Sequence, residues 1–239
     1  MKIQGILEVL KINGKIIVWQ VKVKRYIKAD GWEYDPFSKD PEFRSLIAEL
    51  TSDIDLLEIY ASDPDYRVLI GVASNSNTPP EILARLANSS IIRIRNRVAQ
   101  NQNTSAEVLA DLVLDTDLGV VESVVVNPNT PGEVLAVASH NPIESVRIRV
   151  ARHPNTTKDI LSALASDPSS SVRFAVAGNL NTPPEILDQL ADDHYASVRS
   201  NVSFNDSTSV DTLKRMLSDK NDNIVENAEA HLRHLGIDT

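Results

Sequence analysis

Four arginines, Arg95, Arg147, Arg173 and Arg199, each directly follow an Ile or Val and are separated by multiples of 26 residues. Arg97 and Arg149 repeat two positions further on, and Arg67 and Arg93 stand nearby. A guanidinium presents a planar fork of N–H donors that matches a carboxylate or a phosphate. Lined up by translation, such a column would form a docking strip for an acidic peptide or a phosphate-bearing polymer. The same side chains could instead lay their stems between helices and pair with Asp167 or Asp193, in which case the column is scaffold. Sequence alone leaves both readings open. The column is broken at Val121 and at Val225, which weakens a continuous track.

Other chemistry-bearing residues are less persuasive. His231 and His234 are spaced for one helical face, but no third ligand is in view for a metal. The stretch DKNDNIVE from Asp219 starts like a calcium loop, yet Ile224 stands where the sharp turn needs glycine. Acid pairs such as Asp192-Asp193 are neighbours in sequence, whereas paired-carboxylate catalysis needs two groups converging on one pocket. There is no phosphate-cradling glycine motif, nucleophile elbow or cysteine. The reading is therefore a protein that is not an enzyme and has no cofactor or metal.

The elements that would position these residues are written in a period. NTPPEIL at Asn77 to Leu83 returns at Asn181 to Leu187, with variants at Asn103, Asn129 and Asn155. Thr78, Thr104, Thr130, Thr156, Thr182 and Thr208 are spaced by 26 residues, and Ser52 extends the series. A fixed period of this length marks a stacked repeat array. Thr followed three residues later by Glu81, Glu107, Glu133, Asp159, Glu185 or Asp211 has capping-box spacing, so a helix is predicted to start after each Thr. Pro79, Pro131 and Pro183 would then occupy the first helical position. Leu57, Leu83, Leu109, Leu135, Leu161, Leu187 and Leu213 mark its buried side.

A second segment follows. Asp63, Asn141 and Asp167, each before Pro, are predicted to cap it. Val68, Ile94, Val120, Val146, Val172, Val198 and Ile224 carry it, with Val72, Val98, Val124, Val150, Val176, Val202 and Ala228 one turn on. Its β-branched content leaves α and 3₁₀ open. Asn75, Asn101, Asn127, His153, Asn179, Asn205 and His231 share one position, suited to satisfying backbone groups of adjacent units. The third unit is unusually apolar at Leu114, Leu118, Val121 and Val125, either as local repacking or as a hydrophobic partner site.

The unit, typified by NTPPEILDQLADDHYASVRSNVSFN, resembles the leucine-rich repeat variant family over residues 52–233. The resemblance implies a right-handed superhelix of paired segments. It implies no defined activity. Two departures stand out. The period is longer than the family's usual unit, closer to HEAT-type pairs, and the family's cysteine-rich iron–sulfur module has no counterpart in a chain without cysteine.

The expected fold is thus mainly α: a right-handed α-solenoid of seven 26-residue two-helix repeats, the second segment α or 3₁₀, with an N-terminal β-hairpin cap. The predicted divisions are a hairpin at residues 1–29, a linker and capping helix at 30–51, repeats from 52 to 233 and a tail at 234–239. The repeats start at 52, 78, 104, 130, 156, 182 and 208. Alternation around Asn13-Gly14 predicts a type I′ hairpin, whose apolar face would cover the open end of the array or whose edges would pair two chains into a homodimer. Glu229 and Gly236 suggest a polar, C-terminally closing last helix.

Charge and composition narrow the partners. Lys and Arg number nine against seven acids up to Thr51, and fifteen against twenty-six beyond it. An acidic bulk argues against nucleic acid. No apolar run reaches the length of a membrane span, no signal peptide is read, and the absence of cysteine suits the cytoplasm. The functional expectation is a scaffold for a protein or peptide partner, docking on the concave face. The alternatives are nucleic-acid binding by the arginine stripe and regulation through hairpin self-association.

Overall fold

In a computed structural model, residues 38–237 are described together with the strand backbones at 8–12, 15–19, 28–29 and 32–33. They belong to two compact units, Met1–Val108 and Leu109–Thr239. In the first unit, β1 (Glu8–Ile12) and β2 (Lys15–Trp19) pair antiparallel, with Glu8 opposite Trp19 and Ile12 opposite Lys15. The antiparallel strand pairing read from alternation is present. The Asn13-Gly14 turn, and the side chains on which an end-capping or dimer contact would rest, lie outside the described residues. A second short pair, β3 (Lys28–Ala29) with β4 (Trp32–Glu33), straddles the expected boundary between hairpin and linker at residue 30.

Helix α1 (Pro41–Leu50) starts because Asp40 accepts the Glu42 N–H at 2.9 Å and Pro41 needs no donor in the first turn. It packs on α3 (Tyr66–Ser74). The approach is close enough that a Cβ at Gly71 would collide with the Ser45 carbonyl, so glycine is required there for space. This helix covers the first of the helix pairs.

Short and longer helices then alternate. The short ones are α2 (Ile54–Tyr60), α4 (Pro80–Leu86), α6 (Ala106–Leu112), α8 (Gly132–Ala138), α10 (Lys158–Leu164), α12 (Pro184–Leu190) and α14 (Val210–Met216). Between them come α5 (Ile92–Gln100), α7 (Leu118–Val126), α9 (Glu144–Arg152), α11 (Ser170–Ala177), α13 (Ala196–Phe204) and α15 (Asp222–His234). The second segments are α-helical throughout. In the first unit α3 packs on α5; in the second, α7, α9, α11, α13 and α15 pack each on the next. Leu83, Leu109, Leu161, Leu187, Val98, Val150 and Val176 are all fully buried, as their period requires. Gly236 (φ 74°) closes α15 in a left-handed cap, with Ile237 N donating to Leu232 O at 3.0 Å.

The capping assignment needs correction. Each recurring Thr lies one residue before the cap, and helix α4 begins at Pro80 with Pro79 as its cap, not its first residue. The same holds for Pro131 and Pro183. The Thr hydroxyls are buried and donate backwards: Thr78 to Val72 O at 2.6 Å, Thr130 to Val124 O at 2.5 Å, Thr182 to Val176 O at 2.6 Å. They close the preceding helix, giving a last-turn carbonyl a second donor beside the backbone N–H of Asn75, Asn127 or Asn179. Where a side chain caps the next helix it is the following residue: Asp53, Thr157 and Ser209. The acids three residues after Thr sit in the first turn, where the helix dipole favours them without a capping box.

Candidate functional site

The arginine column projects from the second helix of its pairs, α5, α9, α11 and α13, one residue past a buried Ile or Val, and in the last three the head reaches the turn of the next pair. Arg147 donates from Nε to Asp167 Oδ2 at 2.7 Å and from Nη2 to Oδ1 at 3.1 Å. Arg173 makes the same fork to Asp193 at 2.6 and 3.1 Å, and Arg199 to Asp219 at 2.6 and 2.9 Å. The remaining Nη1 donates to a carbonyl of its own turn: Asn141 O at 2.9 Å, Asp167 O at 2.8 Å and Asp193 O at 2.8 Å, respectively. Each guanidinium thus ties two successive turns together. Arg173 also stands 5.6 Å over the Tyr195 ring.

The acceptors have a second task. Asp167 Oδ1 accepts Ser169 N at 2.8 Å, Asp193 Oδ1 accepts Tyr195 N at 2.8 Å, and Asp219 Oδ1 accepts Asn221 N at 2.9 Å. These Asp side chains shape the turn before the cap. They are not themselves the caps, so the assignment of Asp63 and Asp167 as second caps is corrected: Asp65 and Ser169 hold those places. At Asn141 the cap is Ile143, which accepts no bond through its side chain. Burial pushes the Asp167 and Asp193 carboxyls up, but the arginine and the turn N–H together hold both below the usual carboxylate range. For Asp219 the Arg199 hydrogen bonds dominate and lower it. The partner arginines are raised by the same bonds.

The pattern extends to a residue that the period could not show. Arg44 on α1 forks onto Asp63 at 2.7 and 3.0 Å and donates to Ser38 O at 2.6 Å. Its spacing to Asp63 is one residue short of the others, which took it out of register. Arg95 makes the same bond to its own turn, donating from Nη1 to Ser89 O at 2.8 Å. The other candidates differ. Arg97 is exposed and donates to Gln100 at 3.0 Å. Arg149 is also exposed and lies 3.5 Å from Glu122. Arg67 forks onto its own cap, Asp65, whose carboxyl falls to about 2 through the Arg67 side chain and N–H.

Where the arginine is lost, the aspartate twenty residues on is lost with it. Val121 is followed by Asn141, and Leu69 by Ser89. Both replacements keep the turn bond, Asn141 accepting Ile143 N at 2.9 Å and Ser89 accepting Ile91 N at 3.2 Å. A half-buried carboxylate without its cation is costly, so loss of the two together is what a structural pair would leave behind.

The asparagine column forms a second ladder. Asn75 Nδ2 donates to Ala48 O and Thr51 O, each at 2.7 Å, and Asn101 Nδ2 to Ala73 O and Asn75 O, each at 2.9 Å. Asn179 and Asn205 repeat this in the second unit. His153 replaces amide with imidazole: Nε2 donates to Asn127 O at 3.0 Å while Nδ1 accepts Asn155 N at 3.0 Å, which assigns the proton to Nε2. His231 Nδ1 lies 3.0 Å from Ser203 O. Among the described residues no group of three His, Asp or Glu is arranged to hold a metal ion, and no helix is long and apolar enough to cross a membrane.

Comparison with known proteins agrees with this architecture. Residues 171–194 match the model of the leucine rich repeat variant family. A solved structure described as a leucine-rich repeat variant with a novel repetitive protein structural motif is 22% identical, with a TM-score of 0.63, and the alignment covers 82% of this chain and 78% of that one. An engineered protein aligns at 16% identity and TM-score 0.44, over 82% of this chain and 75% of its own. The archaeal HEAT-like repeats protein from Thermococcus onnurineus NA1 aligns at 15% identity and TM-score 0.27, over 86% and 84%. Among curated proteins no sequence matches. The resemblance read from the NTPPEIL units is thus matched by the family model over residues 171–194, and the leucine-rich repeat variant structure shares the fold.

Proposed function

We propose that this chain, a helical repeat protein with the leucine-rich repeat variant signature, is a non-catalytic scaffold that binds a protein or peptide partner. On this reading its seven 26-residue units form one right-handed array in the cytoplasm. One observation carries the proposal. The polar side chains that recur with the period are engaged in holding one helix pair to the next: the buried Thr hydroxyls, the Asn ladder and the Arg–Asp forks. What recurs is committed to building the stack, so recognition falls to exposed positions that change from unit to unit.

That reading treats Arg147, Arg173 and Arg199 as scaffold and leaves Arg97 and Arg149 as the exposed members of the original candidate set. It also removes most of the support for nucleic-acid binding, since cations already forked onto carboxylates release few counterions. The test is capture from a host extract by the immobilised full chain, followed by an electrophoretic shift assay on nucleic acid at low salt. The scaffold reading expects a protein partner retained in stoichiometric amount and no shift. A salt-sensitive shift without a retained protein would overturn it.

A further inference from the structure

The apolar third unit has two fates in the structure. Val121 and Val125 are buried, 3% and 1% exposed, and Val121 fills the place where other units carry the arginine of the Arg–Asp fork. Leu114 and Leu118 are not: they are 71% and 42% exposed. Leu114 follows α6 and Leu118 opens α7, while Val137 (50% exposed) lies near the end of α8 and Ile143 (43%) caps α9. Leu114 and Leu118 flank the turn between α6 and α7, Val137 and Ile143 flank the turn between α8 and α9, and α7 packs on both α8 and α9, which makes the two turns neighbours. Here apolar exposure and the absent fork at Val121 and Asn141 coincide.

The repeat does not require these side chains. One period later Leu114 becomes His140, Leu118 becomes Glu144, Val137 becomes Ala163 and Ile143 becomes Ser169. The equivalent positions elsewhere in the stack are mostly small, polar or charged, and the core closes all the same. Exposed apolar area retained where folding does not need it calls for a covering surface.

The rim says what kind. Asp111, one turn before Leu114, and Glu144, next to Ile143, are exposed, Asp117 is half-buried at the α7 cap, and Arg147 on α9 is held by Asp167. Two copies of this face would set carboxylate against carboxylate, and an anionic membrane or nucleic acid would be repelled.

Resting on the scaffold reading, we propose that the edge formed by Leu114, Leu118, Val137 and Ile143 docks a segment of a partner protein whose apolar side chains are flanked by Lys or Arg. The leucines and valine supply the contact area, and the acidic rim sets orientation and encounter rate.

The experiment is fluorescence anisotropy of the full chain with a labelled peptide of alternating leucine pairs and lysines. Two control peptides carry glutamate for lysine or serine for leucine. The Leu/Lys peptide should bind and both controls should fail. The variant L114S/L118S should weaken binding by about tenfold or more, with an unchanged melting curve because both residues are exposed. L180S, at another exposed leucine (72%), should leave binding intact. Failure of the Leu/Lys peptide to bind, equal binding of either control, or indifference to L114S/L118S would overturn the proposal. So would self-association of the wild type, by sedimentation, that L114S/L118S abolishes. A native partner captured equally well by wild type and L114S/L118S would sink this face while leaving the scaffold reading standing; one lost with the variant would support both.

Discussion

Replacing Arg173 by Val leaves Asp193, whose side chain is 6% exposed, with the Tyr195 N–H as its remaining hydrogen-bond donor. Breaking a buried ion pair from one side costs about 3–5 kcal/mol. Arg173 is itself 14% exposed and Asp193 keeps its turn bond, so a cost of about 2–3 kcal/mol, at or below the lower end of that scale, is expected. Asp193→Asn should cost less, about 1 kcal/mol, because the amide keeps the turn bond and the unpaired guanidinium can reach water. The double variant R173V/D193N recreates the pair that the chain already carries at Val121 and Asn141. It should cost little more than the lost stem packing and Tyr195 contact, about 1 kcal/mol. The assay is urea unfolding followed by circular dichroism for all four members of the cycle, and the coupling energy should be about 2–3 kcal/mol. Additive costs, or an R173V midpoint equal to wild type, would refute the claim that these forks hold the stack.

The remaining expectations are shorter. Thr182→Asp separates the two readings of that hydroxyl: a cap would tolerate Asp, but a donor to Val176 O cannot be replaced by a carboxylate, so urea unfolding should show a loss of about 1–3 kcal/mol, with Thr182→Ser milder. Leu161→Ala, at a fully buried position, should cost about 2–5 kcal/mol by the same assay. The pH dependence follows from the depressed carboxyls of Asp167, Asp193 and Asp219. Because their folded values lie below the unfolded one, the unfolded chain binds more protons; the stabilisation is complete above about pH 5 and is lost as pH falls through the folded values. The urea midpoint should therefore drop between about pH 5 and pH 3, and drop less in R173V/D193N.

Much of the fold was legible because a repeat writes the same constraint many times over. The Leu and Val columns had to be core, since each recurs at one place in the period, and all those tested are buried. The Thr role was misread for a physical reason. Thr, then an acid three residues on, is the spacing of a capping box, and nothing in one sequence distinguishes a hydroxyl that accepts forwards from one that donates backwards. The partners settle it: Thr182 reaches Val176 O, six residues upstream. The arginine column and its scaffold partners Asp167 and Asp193 were visible, but with the partner twenty residues away, out of phase with the period, the choice between pairing and a docking strip stayed open. The clue was present in Leu69 with Ser89 and Val121 with Asn141, where the two positions change together. Arg44 was hidden by a one-residue shift in the spacing. The apolar third unit held both of its alternatives at once, Val121 and Val125 turning inward while Leu114 and Leu118 stay exposed.

The most direct test of the central claim, that the arginine column is committed to the stack, is nuclear magnetic resonance of the arginine Nε–H groups in the free full chain. Arg147, Arg173 and Arg199 are each forked onto an Asp through Nε, whereas Arg152 is exposed at the end of α9. The account predicts rigid, slowly exchanging Nε–H signals for the first three and a mobile, rapidly exchanging one for Arg152. Arginine signals equally mobile at all four positions would contradict it, returning the column to solvent and to the role of a docking strip.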